Sequence, residues 1–390
     1  MEKYYIWLLL AFGESEPVIS ELISRFGTAE KAYRAFEENV ALVGAELAAR
    51  AEKTSLAKAE KLFAGIASEG ITVITWESPD YPEHLRRAPE PPCALFAKGD
   101  TSLLHKKLIT MVGSRAVTDY TARTIPSIIE RLGGEYAIVG SLSEGCDQLI
   151  CLNALRSGVP FIEIMPCGLS QTYPTGSRSL RTFLLANGGL LLSEYLPKTR
   201  SGQGSFRRRS RIIGGISQVT LVTQAGDSSG ALATAEYSVS PLFIPPNDIF
   251  RKEYAGAVNA VRGGAKLYLG NKSIESAFER ASEKEKETGS VRKASYRKTK
   301  NGTDRSRPAA KTPIKEEKAP SAEKADKARE DFESDEQYAL YTVIAESAAP
   351  VGLEELIAKT GYAADTLAEA LLDLEIAGAV TSAGNRYSAV

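Results

Sequence analysis

A mostly parallel, doubly wound α/β sheet is the fold that the middle of this sequence predicts. Seven short apolar runs recur between residues 108 and 269, most of them continuous rather than alternating, as strands buried on both faces require. Helical stretches separate the runs, so each neighbouring pair reads as a strand–helix–strand unit. In such sheets ligands bind where strands end and helices begin.

The elements follow in chain order. Residues 1–85 read as a helical module: Val18, Leu22, Ile23 and Phe26 recur at helical spacing, Gly27 closes that element, and Thr28 can cap a helix over 29–36. An alanine-rich third helix is expected over 45–69. The sheet domain spans 86–275, with strands at 108–112, 136–139, 161–165, 190–192, 219–223, 242–244 and 266–269. Over 276–333 Lys, Glu, Ser, Thr, Ala and Pro dominate and large apolar residues nearly vanish, the composition of a disordered linker. Residues 334–390 regain a compact pattern, with helices over 338–345, 353–360 and 364–377 and a hairpin over 380–388. That order is a winged-helix layout.

Charge is unevenly spread beneath a formal net of -1. Residues 1–90 hold 10 Lys+Arg against 15 Asp+Glu, a balance of -5, whereas residues 91–270 hold 19 against 12, or +7. Residues 281–330 stand at +6 (15 against 9) and residues 334–390 at -7 (2 against 9). The middle attracts anions and both ends repel them. Cys93, Cys146, Cys151 and Cys167 form no CxxC pair and fall in core elements. The apolar run at 6–12 has no basic leader, and no stretch nears the ~20 apolar residues of a membrane helix. A reducing cytoplasm without membrane contact is therefore expected.

Three strand ends carry the chemistry. The first opens into Gly113-Ser114-Arg115 ahead of a helix from about Thr118. Glycine permits a tight turn, the following amides face outward with the helix dipole, and Ser114 and Arg115 add a hydroxyl and a charge. That is an anion site, although the tripeptide alone also suits a plain turn. A second end runs Gly140-Ser141-Leu142-Ser143-Glu144-Gly145-Cys146-Asp147, and a third covers 223–234 through Ser229, Gly230 and Thr234. Beside them Phe206 opens a cluster of four arginines, Arg207, Arg208, Arg209 and Arg211. Guanidinium forks match phosphate oxygens, whereas a solvated helix face would look the same in isolation. Three such loops next to this cluster predict a crevice for phosphate groups.

The catalytic inventory is thin. His84 and His105 lie outside the loops and read as surface groups. No G-x-x-x-x-G-K-[ST] loop, G-x-S-x-G elbow or metal-ligand cluster occurs, and no G-x-G-x-x-G follows the first strand. Asp147 and Glu194 are the acids near strand ends. A phosphate crevice of this kind predicts a binder with no cofactor. The alternatives are a nucleotide-phosphate hydrolase of a related lineage, whose G-G-x-G-T loop is missing, and a scaffold with a vestigial crevice.

In this order the loops resemble the DNA-processing protein A family, also called DprA or Smf. The resemblance rests on Val112-Gly113-Ser114-Arg115, Gly145-Cys146-Asp147, Cys167-Gly168 with Tyr173-Pro174, and Ser193-Glu194-Tyr195. It continues in Arg209-Ser210-Arg211-Ile212-Ile213-Gly214-Gly215-Ile216-Ser217 and in Ser229-Gly230-Ala231-Leu232-Ala233-Thr234-Ala235, over about residues 90–270. It implies a Rossmann-like sheet, a SAM-like or helix-hairpin-helix N-terminal module and a C-terminal winged helix. It further implies a cytoplasmic homodimer that binds single-stranded DNA, protects incoming strands in natural transformation and helps load the RecA recombinase. Carried over by position, Gly113, Ser114 and Arg115 cradle one phosphate, Arg209 and Arg211 its neighbours, and Ser229 and Gly230 offer further donors. Phe206, Arg208 and Thr234 complete the expected site. The sequence departs from the family at Glu144, Cys151, Ser210 and Gln224, where Arg, His, Asn and Glu are customary, and at Pro245-Pro246-Asn247, where Val-Pro-Gly is usual.

Arg251, Lys252 and Lys266 would extend the groove, and Tyr254 joins Phe206 as a stacking candidate. The third winged helix contains Asp365, Glu369, Asp373 and Glu375 and no Lys or Arg, which predicts a protein-facing unit and not a duplex reader.

Overall fold

The computed structural model describes residues 1–288 apart from 15, 16, 39 and 203, and residues 335–389 apart from 348, 363–366, 368–369, 372–373, 375–378, 384 and 385. The chain divides into two compact units, residues 1–301 and 302–390.

In the first unit nine strands form one sheet: β1 (Thr72–Thr75), β2 (Ala94–Gly99), β3 (Lys107–Val112), β4 (Tyr136–Gly140), β5 (Phe161–Ile164), β6 (Leu190–Ser193), β7 (Val219–Val222), β8 (Leu242–Ile244) and β9 (Lys266–Leu267). Their order is β1-β2-β6-β5-β4-β3-β7-β8-β9. All neighbours from β6 to β9 pair parallel, whereas β2 joins β6 antiparallel. The doubly wound sheet expected from the apolar runs is the one observed, and every run is a strand. Every residue of β4, β5, β6 and β7 is buried, because right-handed crossovers on either side of a reversal put helices on opposite faces. The reversal lies at β3 and β7. From there β4–β6 step one way and β8–β9 the other, so the loops after β3 and β7 diverge and leave a crevice. The β1–β2 hairpin was not foreseen; it opens the sheet at Thr72, ahead of residue 86.

The helical module comprises Glu2–Phe12, Pro17–Phe26, Ala29–Glu38, Val40–Val43, Ala45–Ala51 and Leu56–Ser68. Thr28 does cap, its Oγ1 accepting from the Lys31 amide at 3.1 Å. The single helix expected over 45–69 is two, because Ser55 is an N-cap that accepts from the Lys58 amide at 3.3 Å. Tyr5, Trp7, Phe12 and Phe36 fill the module's interior. Glu14 fastens it to the segment after β6, its Oε1 accepting from the Leu196 amide at 3.2 Å.

At the other end of the sheet, the helix Asn271–Thr288 runs through the start of the stretch expected to be a linker. The rest of that stretch lies outside the described residues. All four cysteines are free and buried, and burial pushes the Cys93 and Cys146 thiols up to about 12. Among the described residues no helix is long and apolar enough to cross a membrane.

The second unit has helices Asp335–Ala345 and Leu353–Thr360 and a three-stranded sheet of Val351–Gly352, Arg386–Ala389 and Val380–Ala383. Leu340, Ile344, Leu356, Leu367, Leu371 and Leu374 form its core. The hairpin expected at 380–388 is present. The acids Asp365, Glu369, Asp373 and Glu375 of the expected third helix lie outside the described residues.

Candidate nucleic-acid interface

The loop after β3 is shaped by its contact with the loop after β4. Gly145 has φ +82, and a Cβ there would stand 1.9 Å from the Arg115 carbonyl oxygen, so only glycine lets the two backbones meet. The Cys146 amide then donates to the Ser114 carbonyl at 3.1 Å. The Gly113 amide donates to Asp147 Oδ1 at 3.2 Å, and the Ser114 amide to the Gln224 carbonyl at 3.0 Å. These two amides, expected to face a ligand, instead bind the crevice walls together. Gln224 makes use of its departure from the family's Glu: its side-chain amide nitrogen, Nε2, donates to the Ala116 carbonyl at 2.6 Å while Oε1 accepts from the Thr118 amide at 3.1 Å. A carboxylate could not supply that donor. Arg115 itself is exposed, and Ser114 Oγ stands 3.3 Å from Ser229 Oγ across the crevice.

Asp147 is the buried hub. Ser141 Oγ donates to its Oδ2 at 2.5 Å, and burial lifts its carboxyl to about 6 against the opposing pull of Ser141, Arg209, the Gly113 amide and Arg115. Arg115 and Arg209 thus both act electrostatically on this one buried acid.

Helix Ser205–Ile216 places the second of them. The helix is pinned across the sheet: Thr110 Oγ1 donates to the Ile213 carbonyl at 2.6 Å. A Cβ on Gly214 would stand 2.3 Å from the Thr234 carbonyl, so the neighbouring helix Gly230–Glu236 seats directly on its backbone. Half-buried Arg209 reaches Ser143 Oγ with Nη2 at 3.4 Å and lies 5.4 Å from the Phe206 ring centroid. Phe206 in turn meets Tyr173 edge-on at 5.2 Å. Arg209 Nε is buried with no hydrogen-bond partner, an unsatisfied donor beside an aromatic ledge.

Arg211 is a correction. Two residues further along an α-helix is about 200° around its axis, so Arg211 faces inward and not into the crevice. Its Nη2 meets Glu194 Oε2 at 2.5 Å, with side-chain exposures of 8% and 3%. Burial raises the Glu194 carboxyl, and Arg211 opposes that rise. Arg211 therefore falls outside the trough expected to gather Arg115, Arg209 and Arg211. Thr234 is also withdrawn: it is buried and its hydroxyl donates to the Gly230 carbonyl at 3.2 Å. Tyr254, a stacking candidate, is buried with its hydroxyl 2.9 Å from Thr121 Oγ1.

The remaining residues are placed as follows. Arg208 is exposed and acts electrostatically on Glu194, and Arg207 donates to the Tyr237 hydroxyl at 2.8 Å. Ser229 caps the helix Gly230–Glu236, accepting from the Ala231 amide at 3.3 Å, with exposed Gly230 next to it. Glu144 is exposed, Cys151 is buried, and Lys266 opens β9 at the far edge of the sheet. His84, expected at the surface, is half-buried against Ser240 Oγ at 2.7 Å, and desolvation lowers it to about 4.

Sequence reasoning missed a second buried pair. Arg181 grips Glu163 through two hydrogen bonds of 2.8 and 2.7 Å and also donates to the Tyr173 carbonyl at 2.7 Å. It holds the loop that carries Tyr173 beside Phe206. The signal available was the Tyr173-Pro174 pair; nothing local links Glu163 to Arg181.

The family model for DNA recombination-mediator protein A matches residues 72–279, and that for the DprA winged helix domain matches 317–385. The DNA processing protein DprA of Streptococcus pneumoniae is 31% identical over 202 residues, 51% of this chain and 71% of that protein. The Bacillus subtilis DNA processing protein DprA is 30% identical over 232 residues, 58% of this chain and 77% of that protein. The crystal structure of the Streptococcus pneumoniae protein superposes with a TM-score of 0.62 at 25% identity, covering 71% of this chain and 98% of that one. The doubly wound sheet, the motifs on its carboxyl edge and the winged helix therefore have one explanation: the chain belongs to the DNA-processing protein A (DprA/Smf) family.

Proposed function

We propose that this chain binds single-stranded DNA without sequence preference, as a DNA-processing protein. The strand's phosphates would lie along Arg115 and Arg209, and one base on the ledge of Phe206 and Tyr173. The observation that carries the reading is Arg209, which reaches Ser143 Oγ and stands over the Phe206–Tyr173 ledge with an unsatisfied guanidinium nitrogen, beside the strand-end loop that carries exposed Arg115. Cations that follow a backbone, beside rings that accept any base, are what sequence-independent strand binding uses. Ser114, Ser143 and Ser229 add hydroxyls to the same crevice.

The biological role follows from the family. The names of the relatives, DNA processing proteins, and of the family model, a recombination mediator, support a role in DNA processing and recombination, and we propose within it protection of incoming strands in transformation and help in loading RecA. A homodimer acting in the cytoplasm fits the same role. The hydrolase alternative draws no support from Asp147, whose two oxygens accept from Gly113 and Ser141.

Titration of the protein with labelled oligo-dT at several salt concentrations tests the proposal. Tight binding is expected, with log K falling against log salt by roughly 0.7 per phosphate contact. Salt-insensitive binding, or nucleotide turnover without strand binding, would overturn it.

A further inference from the structure

We infer that the loop after β8 carries a second base-stacking position, Phe250, for the same strand; the inference rests on the single-strand reading of the crevice. Phe250 is 92% exposed and its neighbour Ile249 63%. A phenyl ring left almost wholly in water forgoes the stabilisation that burial gives, and with Ile249 beside it the tip forms an apolar patch of the kind that marks an interaction site.

The backbone beneath the ring is held. The Phe250 amide donates to Asp248 Oδ1 at 3.0 Å, and the Arg251 amide to the Asp248 carbonyl at 3.2 Å. These turn contacts follow the Pro245-Pro246-Asn247 departure from the family pattern. The loop is also tied to both walls of the crevice. The Tyr120 hydroxyl, on the helix that follows Arg115, donates to the Pro246 carbonyl at 2.7 Å. The Ala257 amide donates to the Ala225 carbonyl at 3.0 Å, and a Cβ on Gly226 would stand 3.4 Å from the Lys252 carbonyl. Contacts therefore run without a gap from Arg209 and Ser143, through Arg115 and the Ser114–Ser229 bridge, to the loop that carries Phe250.

Charge decides what the position does. Arg251 and Lys252 are offset by Asp248 and Glu253, and Arg251 pairs with Glu253 at 3.3 Å. A locally neutral tip gives a phosphate little to hold, but it gives a base a face to stack on. The occupant is accordingly a nucleobase of a strand leaving the crevice. Leu267 and Leu269 are exposed on the neighbouring strand and just beyond it, so a second copy of the chain is the competing occupant.

The test uses the full chain, its Phe250→Ala, Phe250→Trp and Arg115→Ala variants, and oligo-dT of stepwise length, intact or abasic at its end. Phe250→Ala is expected to leave the shortest strands unaffected and to weaken longer ones by about 5- to 150-fold, the range for one lost base stack. Phe250→Trp should retain binding, the salt slope should not change, and strands abasic at that end should bind wild type and Phe250→Ala alike. Arg115→Ala should weaken every length. If Arg115→Ala weakens binding while Phe250→Ala changes none, the second position is overturned and the crevice reading stands. If neither variant weakens binding, the crevice reading itself fails. Loss of self-association in Phe250→Ala without a length-dependent effect would assign the ring to a second copy and overturn the inference.

Discussion

Arg209 and Arg211 sit on one helix two residues apart, carry the same guanidinium group, and face opposite demands. Arg211 is sealed against Glu194 in the interior, where its partner fixes it. Arg209 lies half in solvent over Phe206, with a buried nitrogen left unsatisfied. The first is a strut and the second is an open valence. The difference teaches that an arginine cluster next to a core segment is not a single binding surface. Helical geometry splits it: Arg211 is locked in a buried ion pair, whereas Arg209 hydrogen-bonds only a serine hydroxyl and feels Asp147 and Glu163 through space.

The comparison breaks most sharply at Arg211→Ala. Removing one partner of a buried ion pair strands the other charge, so a stability loss of about 3–5 kcal/mol is expected in a denaturant titration. An unchanged unfolding midpoint with lost DNA binding would reverse the two roles. Arg209→Ala should do the opposite: strand affinity falls by about 1.5–3 kcal/mol in a binding titration, the value of hydrogen bonds to a charged group, while the midpoint holds. Arg115→Ala should flatten the dependence of log K on log salt by roughly 0.7, as one phosphate contact is lost.

Acidity sharpens the contrast further. Asp147 titrates at about 6 in the fold against an ordinary 3.8, so the folded state binds the extra proton. Its stabilising contribution is full below pH 4 or so and is lost as pH rises through about 6. Protonation also removes a buried negative charge that acts on both Arg115 and Arg209. Strand affinity should therefore rise as pH falls from 7 to 5, and Asp147→Asn should abolish that rise; an equal rise in the variant would exclude Asp147 as its source. The smallest effect is expected at Arg207 and Arg208, exposed and outside the contacts of the crevice, where alanine should change affinity only slightly in the same titration.

Much of this architecture was legible in the chain. All seven apolar runs became strands; in the central ones a strand buried on both faces must be apolar throughout, a signal that needs no distant partner, whereas β9 at the edge is exposed. The hairpin of β1 and β2 was missed for the converse reason: Thr72 and Thr75 dilute a four-residue strand, and its place is set by pairing with residues 19 to 25 positions away. The helix over 45–69 was overextended because alanine content outweighed the cap at Ser55. In the site, Arg211 was placed in the crevice because its acid, Glu194, is not adjacent in sequence, and their buried pairing appears only in the fold. The ledge partner Tyr173 and its brace, Glu163 with Arg181, were unreadable on the same ground.

The order of apolar runs, glycine turns and basic residues determined, by itself, a doubly wound sheet with an anion-attracting carboxyl edge, since periodicity and net charge are local properties. Tertiary structure alone decided which amides and arginines remain available to a ligand. That choice depends on which buried acid or carbonyl each group meets, and such meetings are set by strands and loops brought together from far along the chain.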